Sequence, residues 1–197
     1  MRPGRLIRSM PILAAEADLY PIDLLERSET QLDSERSWWA LYTRSRHEKE
    51  LMRQLRAMEI PFYGPTVEKS SRTPRGRNLT SLVPLFPNYV FMYGDSQQRY
   101  SALTTNCVSR DIPVVDGESL LHDLQQLHRL VHSGVPVASE PRLETGARVR
   151  VKTGPLMGQE GIVLQRHGET RLLVSVRFLQ QGASVQLDED CLEPLDS

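Results

Sequence analysis

Residues 83–92 read VPLFPNYVFM. Pro84 and Pro87 bracket Leu85 and Phe86, and Tyr89 and Phe91 follow two residues apart. Aromatic residues make up 6% of the chain, so three within six positions ask for a reason. Alternation supplies a first answer. From Asn88 to Tyr93 the run NYVFMY reads as a strand, with Tyr89, Phe91 and Tyr93 on one face and Val90 and Met92 on the other. Such a strand is either core or a surface that grips a partner, and the flanking sequence has to decide.

Upstream, WWALYT at 38–43 alternates in the same way. Trp38, Ala40 and Tyr42 face one side, and Trp39 and Leu41 the other. A helix is expected from Arg44 to Met58, with Leu51, Leu55 and Met58 as its apolar stripe and Pro61 beyond its end. Phe62, Tyr63 and Val67 suggest another strand. Residues 66–81, TVEKSSRTPRGRNLTS, set Lys69, Arg72, Arg75 and Arg77 against Glu68 alone, and Pro74 and Gly76 make the stretch a loop or hairpin tip. Downstream, Ser96 is placed to cap a short helix, and Val108–Val115 reads as a strand. Asp116 is placed to cap a helix carrying Leu120, Leu124, Leu127 and Val131, which Gly134 stops.

Residues 1–36 show no clear period and are expected to be a flexible extension, with a short helix near Asp23 to Glu29. Residues 134–145, GVPVASEPRLET, read as a linker. Beyond it the pattern becomes short alternating strands, the spacing of a small barrel. The expected class is α+β: an α/β sandwich over 37–133 joined by that linker to a small β-barrel over 146–197.

Composition narrows the function classes. The chain has 197 residues, with 24 Lys plus Arg against 25 Asp plus Glu and a net charge of -1, so nucleic-acid contact would need a local basic patch. Cys107 and Cys191 lie far apart and form neither a disulfide framework nor a metal-ligand spacing, which fits a reducing compartment. No run approaches the roughly 18 apolar residues of a membrane span. The expectation is a cytoplasmic monomer with no membrane contact. His128 and His132 stand at i, i+4, but no HExxH pattern or third ligand accompanies them, so they are expected on a polar outer face with no metal. No nucleophile elbow is present and no catalytic residue or cofactor is expected.

The C-terminal stretch GARVRVKTGPLMGQEGIV, 146–163, sets Gly154, Pro155, Gly158 and Gly161 between two alternating segments. Its glycines suit tight strand reversal, and its spacing is not that of a phosphate-cradling loop. This stretch resembles the KOW motif of the NusG family of transcription elongation factors, and RLLVSVRFLQQGASVQLDEDCLEPL resembles the rest of that SH3-like barrel. WWALYTRSRHEKELMRQL and VPLFPNYVFM resemble the opening and the aromatic strand of the family's N-terminal (NGN) domain. The resemblance runs from about Trp38 to Leu195.

The resemblance implies a non-enzymatic factor that docks on the clamp helices of the largest RNA polymerase subunit. Carried over residue by residue, Tyr42, Phe86, Pro87, Tyr89 and Phe91 would form an exposed aromatic docking face. Arg44, Arg46, Lys69, Arg72, Arg75, Arg77 and Arg110 would serve nucleic acid, with Arg44 and Arg110 falling where the specialised RfaH-like branch contacts the non-template strand. PRGRNLTSLVPLFPNYVF, with Asn88 where housekeeping members usually have Gly, is closer to that antitermination branch. The barrel would recruit ribosomal protein S10 or the termination factor Rho. One departure matters: RfaH holds its C-terminal domain as a helical hairpin partly through a Glu just before its PLFPNY stretch, and Val83 stands there in this chain. A permanently β-type C-terminal domain is therefore expected. The rival reading is a ribosome-associated KOW protein that binds RNA, since an RNA platform also combines aromatic with basic residues.

Overall fold

The computed structural model describes residues 17–26, 35–72, 78–142, 146–166 and 168–195. They form a mixed α/β structure of three helices and antiparallel sheets. A five-stranded sheet runs in the order β1 (Leu19–Tyr20), β3 (Phe62–Tyr63), β6 (Tyr89–Gly94), β2 (Ser37–Thr43), β7 (Val108–Pro113). Helix α1 (Glu48–Ala57) follows β2, α2 (Ser96–Thr104) follows β6, and α3 (Gly117–Val131) follows β7. β4 (Thr66–Arg72) and β5 (Asn78–Pro84) pair as a separate hairpin.

The parity read from the sequence sorts the core into two layers. Leu41, Val90 and Met92 pack with Leu51, Met52 and Leu55 of α1 and Ala102 of α2. Trp38, Ala40, Phe91 and Tyr93 lie in the other cluster with Leu120, Leu121, Leu124, Leu127 and Leu130 of α3. Met52, not Met58, completes the α1 stripe: the helix ends at Ala57, and Met58, its C-cap, is 38% exposed. At α2 the N-cap is Asp95 rather than Ser96. Its side chain accepts from Gln98 N at 2.8 Å while Gln98 Oε1 accepts from Asp95 N, a reciprocal capping box. Asp116 caps α3 as expected, accepting from Ser119 N.

Two expectations of chain character give way to packing. In the extension, β1 pairs with β3, and Leu24 and Leu25 are buried in the α3-side core. Residues 21–26 form turns, not a helix, and 27–29 fall outside the described residues. In the expected linker, β8 (Val137–Glu140) pairs with the C-terminal strands. Those strands form a second antiparallel sheet in the order β13 (Leu192–Pro194), β9 (Arg148–Val151), β10 (Glu160–Arg166), β11 (Glu169–Val176), β12 (Gln181–Gln186), β8. Residues 177–179, between β11 and β12, make a 3-10 turn closed by Gln180 at φ 53°.

Helix α3 lies between the two sheets, which explains why it buries more than one stripe. Asp123, an unexpected buried acid, faces the C-terminal sheet and accepts from Arg177 N at 2.9 Å and from the Arg177 guanidinium at 3.0 Å. Nearby, Gln159 Nε2 donates to Gln126 Oε1 at 2.6 Å.

Candidate docking surface

Three side chains stand in a row across β6, β2 and β7, at one end of the first sheet. Tyr42 on β2 is opposite Tyr89 on β6 and Arg110 on β7. The Tyr42 and Tyr89 rings meet edge to face with centroids 5.1 Å apart, the arrangement favoured by ring quadrupoles. The Arg110 guanidinium lies over the Tyr42 ring, 5.7 Å from its centroid. Both tyrosines are half-buried and Arg110 is exposed.

The turn that leads into β6 positions this row. Tyr89 N donates to Phe86 O at 3.2 Å, Pro87 holds the second position, and Asn88 has φ 68°. These are the marks of a type II turn, in which proline presets the second residue and the third needs a left-handed backbone. Asn tolerates that region better than most side chains. Asn88 O accepts from Thr43 N at 2.8 Å, and Asn88 N donates to Glu48 Oε1 at 2.8 Å. Pro87 projects exposed from the turn.

The structure divides the five expected aromatic-face residues. Tyr42, Pro87 and Tyr89 reach the surface, whereas Phe86 and Phe91 are fully buried in the α3-side core. Phe91 points to the same face as Tyr89, but it sits farther along β6, opposite Ala40 and Tyr63. Of the expected nucleic-acid residues, Arg44 and Arg46 are exposed in the turn before α1, beside the tyrosine row in sequence. Arg44 N donates to Cys107 O at 2.8 Å, which ties this turn to the start of β7. Lys69 is exposed but belongs to the β4–β5 hairpin. Arg72 ends β4, and Arg75 and Arg77 lie outside the described residues.

In the C-terminal turn, Gly154 and Gly158 have φ 86° and 81°, while Pro155 is exposed between them. Gly161 is constrained differently. A Cβ there would stand 2.4 Å from Leu173 O, so the close approach of β10 to β11 excludes a side chain. The loop folds back through Gly158 N to Val151 O at 2.8 Å and buries Leu156.

His128 does not lie on a polar outer face. It is half-buried, its ring meets Tyr63 edge to face at 5.5 Å, and the His132 ring lies tilted against it at 4.1 Å. His128 Nδ1 and Tyr63 Oη are both buried without a hydrogen-bond partner among the described residues. No group of three or more potential metal ligands occurs among those residues, and no described helix is long and apolar enough to cross a membrane.

What emerges is a mixed α/β protein with an open surface of rings and guanidinium groups at one end of a helix-backed sheet. A family profile described as "Transcription termination factor nusG" matches residues 36–140, which is 105 of the 197 residues. The chain belongs to the NusG family, and so to the transcription elongation and termination factors, which bind RNA polymerase and are not enzymes. No curated protein matches the chain at a significant level.

Sequence reasoning missed Glu48, and it noted Asn88 only as a departure from the usual Gly, not for its place in the turn. The signal for Asn88 was present in Phe-Pro-Asn-Tyr, a type II turn signature with Pro at the second position and Asn at the third. Glu48 carried no such signal, because its partner is 40 residues away.

Proposed function

We propose that this chain is an antitermination-type elongation factor that docks on the clamp helices of the largest polymerase subunit through Tyr42, Pro87 and Tyr89. Phe86 and Phe91 support that surface from beneath. The observation that carries the reading is the edge-to-face Tyr42–Tyr89 pair beside exposed Pro87, a rigid ring surface of the kind that receives a helix at low entropic cost. Arg44, Arg46 and Arg110 lie at the same end of the sheet and would take phosphates of the non-template strand, while Lys69, Arg72, Arg75 and Arg77 would add further basic contact. By preferring the closed clamp over the open one, the factor would shift polymerase toward the pause-resistant state. The segment from 146 to 197 would be a KOW barrel that recruits ribosomal protein S10 or Rho. The strands between residues 148 and 194 are the β form that such a barrel requires, and this C-terminal segment would keep it.

The Arg110–Tyr42 stack favours one second reading, an RNA platform of a ribosome-associated KOW protein, because Arg-backed rings also receive bases. Transcription in vitro by the cognate polymerase on a template with a strong pause and a terminator separates the two. Shorter pauses and longer transcripts on adding the protein are expected. Unchanged transcription together with tight RNA binding would overturn the proposal in favour of the second reading.

A further inference from the structure

We propose that Glu48 is a positioning residue for the docking surface: its carboxylate fixes the Phe86–Tyr89 turn and thereby sets where Pro87 and Tyr89 stand. The inference rests on the docking reading of that surface. Glu48 opens α1, yet only 7% of its surface is exposed. An acidic residue in a first helical turn ordinarily stays in water and is favoured there by the helix dipole alone. Burying the carboxylate costs solvation, which a strong directed hydrogen bond must offset. That bond is the charge-assisted one from Asn88 N at 2.8 Å.

Both main-chain groups of Asn88 are thereby held from different elements. α1 takes its N–H through Glu48, and β2 takes its C=O through Thr43 N. Thr43 adjoins Tyr42, whose ring meets Tyr89, the residue after Asn88. The turn, Tyr89, Tyr42 and Thr43 therefore form a closed circuit of contacts, and Glu48 holds that circuit at Asn88. Within it the positive φ of Asn88 needs outside support, since the left-handed region is unfavourable for a residue with a side chain. The α1 cap does not depend on this carboxylate: His47, the N-cap residue, makes no side-chain capping bond, its N–H donates to Arg44 O, and Glu48 stands at the first helical position and not at the third, from which a capping box reaches back.

Glu48→Gln, Glu48→Asp and Glu48→Ala in the full-length chain test the proposal. Gln keeps an acceptor at the same reach. Asp keeps the charge at the helix start but withdraws the oxygen by one methylene, so it separates turn positioning from helix stabilisation should the Ala variant fail to fold. NMR would read the Asn88 amide and the ring contacts between Tyr42 and Tyr89, and titration would read affinity for core RNA polymerase. Glu48→Gln is expected to bind within about threefold of wild type. Glu48→Asp and Glu48→Ala should speed exchange of the Asn88 amide, weaken the Tyr42–Tyr89 contacts and lower affinity about tenfold, the scale of one strong hydrogen bond. Adding Tyr89→Ala to Glu48→Asp should then cost much less than Tyr89→Ala alone. Unchanged amide exchange and ring contacts in Glu48→Asp, or an affinity loss fully additive with Tyr89→Ala, would overturn the proposal. A wild-type protein that fails to bind polymerase would refute the docking reading, and the NMR comparison would still decide the role of Glu48.

Discussion

Asn88 shows how much one backbone angle can carry. At φ 68° it needs a residue that tolerates the left-handed region, and its main chain is bonded on both sides. Asn88→Gly keeps those bonds and should change stability by less than about 1 kcal/mol. Asn88→Val puts a β-branched side chain at positive φ and should cost about 1–3 kcal/mol. Urea unfolding midpoints of the two variants check this, and equal losses would place the strain elsewhere. Tyr89 is the complementary case, because its ring contributes to the surface more than to the core. Tyr89→Ala should leave the fold cooperative and weaken polymerase binding by about 2 kcal/mol, the size of an interface hot spot. Unchanged affinity with an intact fold would remove Tyr89 from the docking surface.

At the level of elements, α3 is the most heavily used. Leu124 and Leu127 are fully buried in a helix flanked by sheets, so Leu124→Ala should cost about 3 kcal/mol in thermal or urea unfolding. Near the end of this helix, burial pushes the His128 imidazole below its ordinary value of 6.5, the neighbouring His132 lowers it further, and Asp18 opposes both. The unfolded chain therefore binds the proton at a higher pH than the folded one. The stability associated with neutral His128 is present above pH 6.5 and is lost as pH falls from there toward the folded value. Between pH 7.5 and 5.5, His128→Gln should lose less stability than wild type. An identical slope for both proteins would assign the effect to other groups.

These elements also mark what sequence could convey. Strand parity was legible because period-2 alternation is local, and Trp38, Ala40 and Phe91 fell on the face that Leu41, Val90 and Met92 avoid. Helix α3 was legible from its Asp116 cap and periodic leucines, whereas the cap of α2 proved to be Asp95 and not Ser96. Illegible were the features set by partners distant in sequence. Leu121, Leu130 and Asp123 are buried because a second sheet covers α3. Phe86 and Phe91 read as surface because neither alternation nor resemblance reports how far a helix extends over a sheet. GVPVASEP reads as linker because its prolines and polar residues hide a four-residue edge strand.

Across the whole molecule, the contact between α3 and the C-terminal sheet turns on Asp123. The Arg177 side chain is 58% exposed, so water screens its ion pair and its removal should cost little. The acid is buried and also accepts from the Arg177 main-chain N–H. Asp123→Ala should therefore cost about 2 kcal/mol and exceed Arg177→Ala. Urea unfolding of both variants checks the order, and a larger loss in Arg177→Ala would reverse the assignment.

Strand β8 has a consequence for how two partners could be held at once. Only residues 132–136 separate the end of α3 at Val131 from the start of β8 at Val137. Five residues reach at most about 17 Å, even fully extended. With β8 paired to β12 and α3 itself bonded to the same sheet through Asp123, the short connection leaves the two sheets no independent span. The local concentration of a second ligand would then follow from fixed geometry: high when its site matches the spacing of the two surfaces, and falling to nothing beyond it. A factor built this way would count the distance between its two ligands as well as their identities.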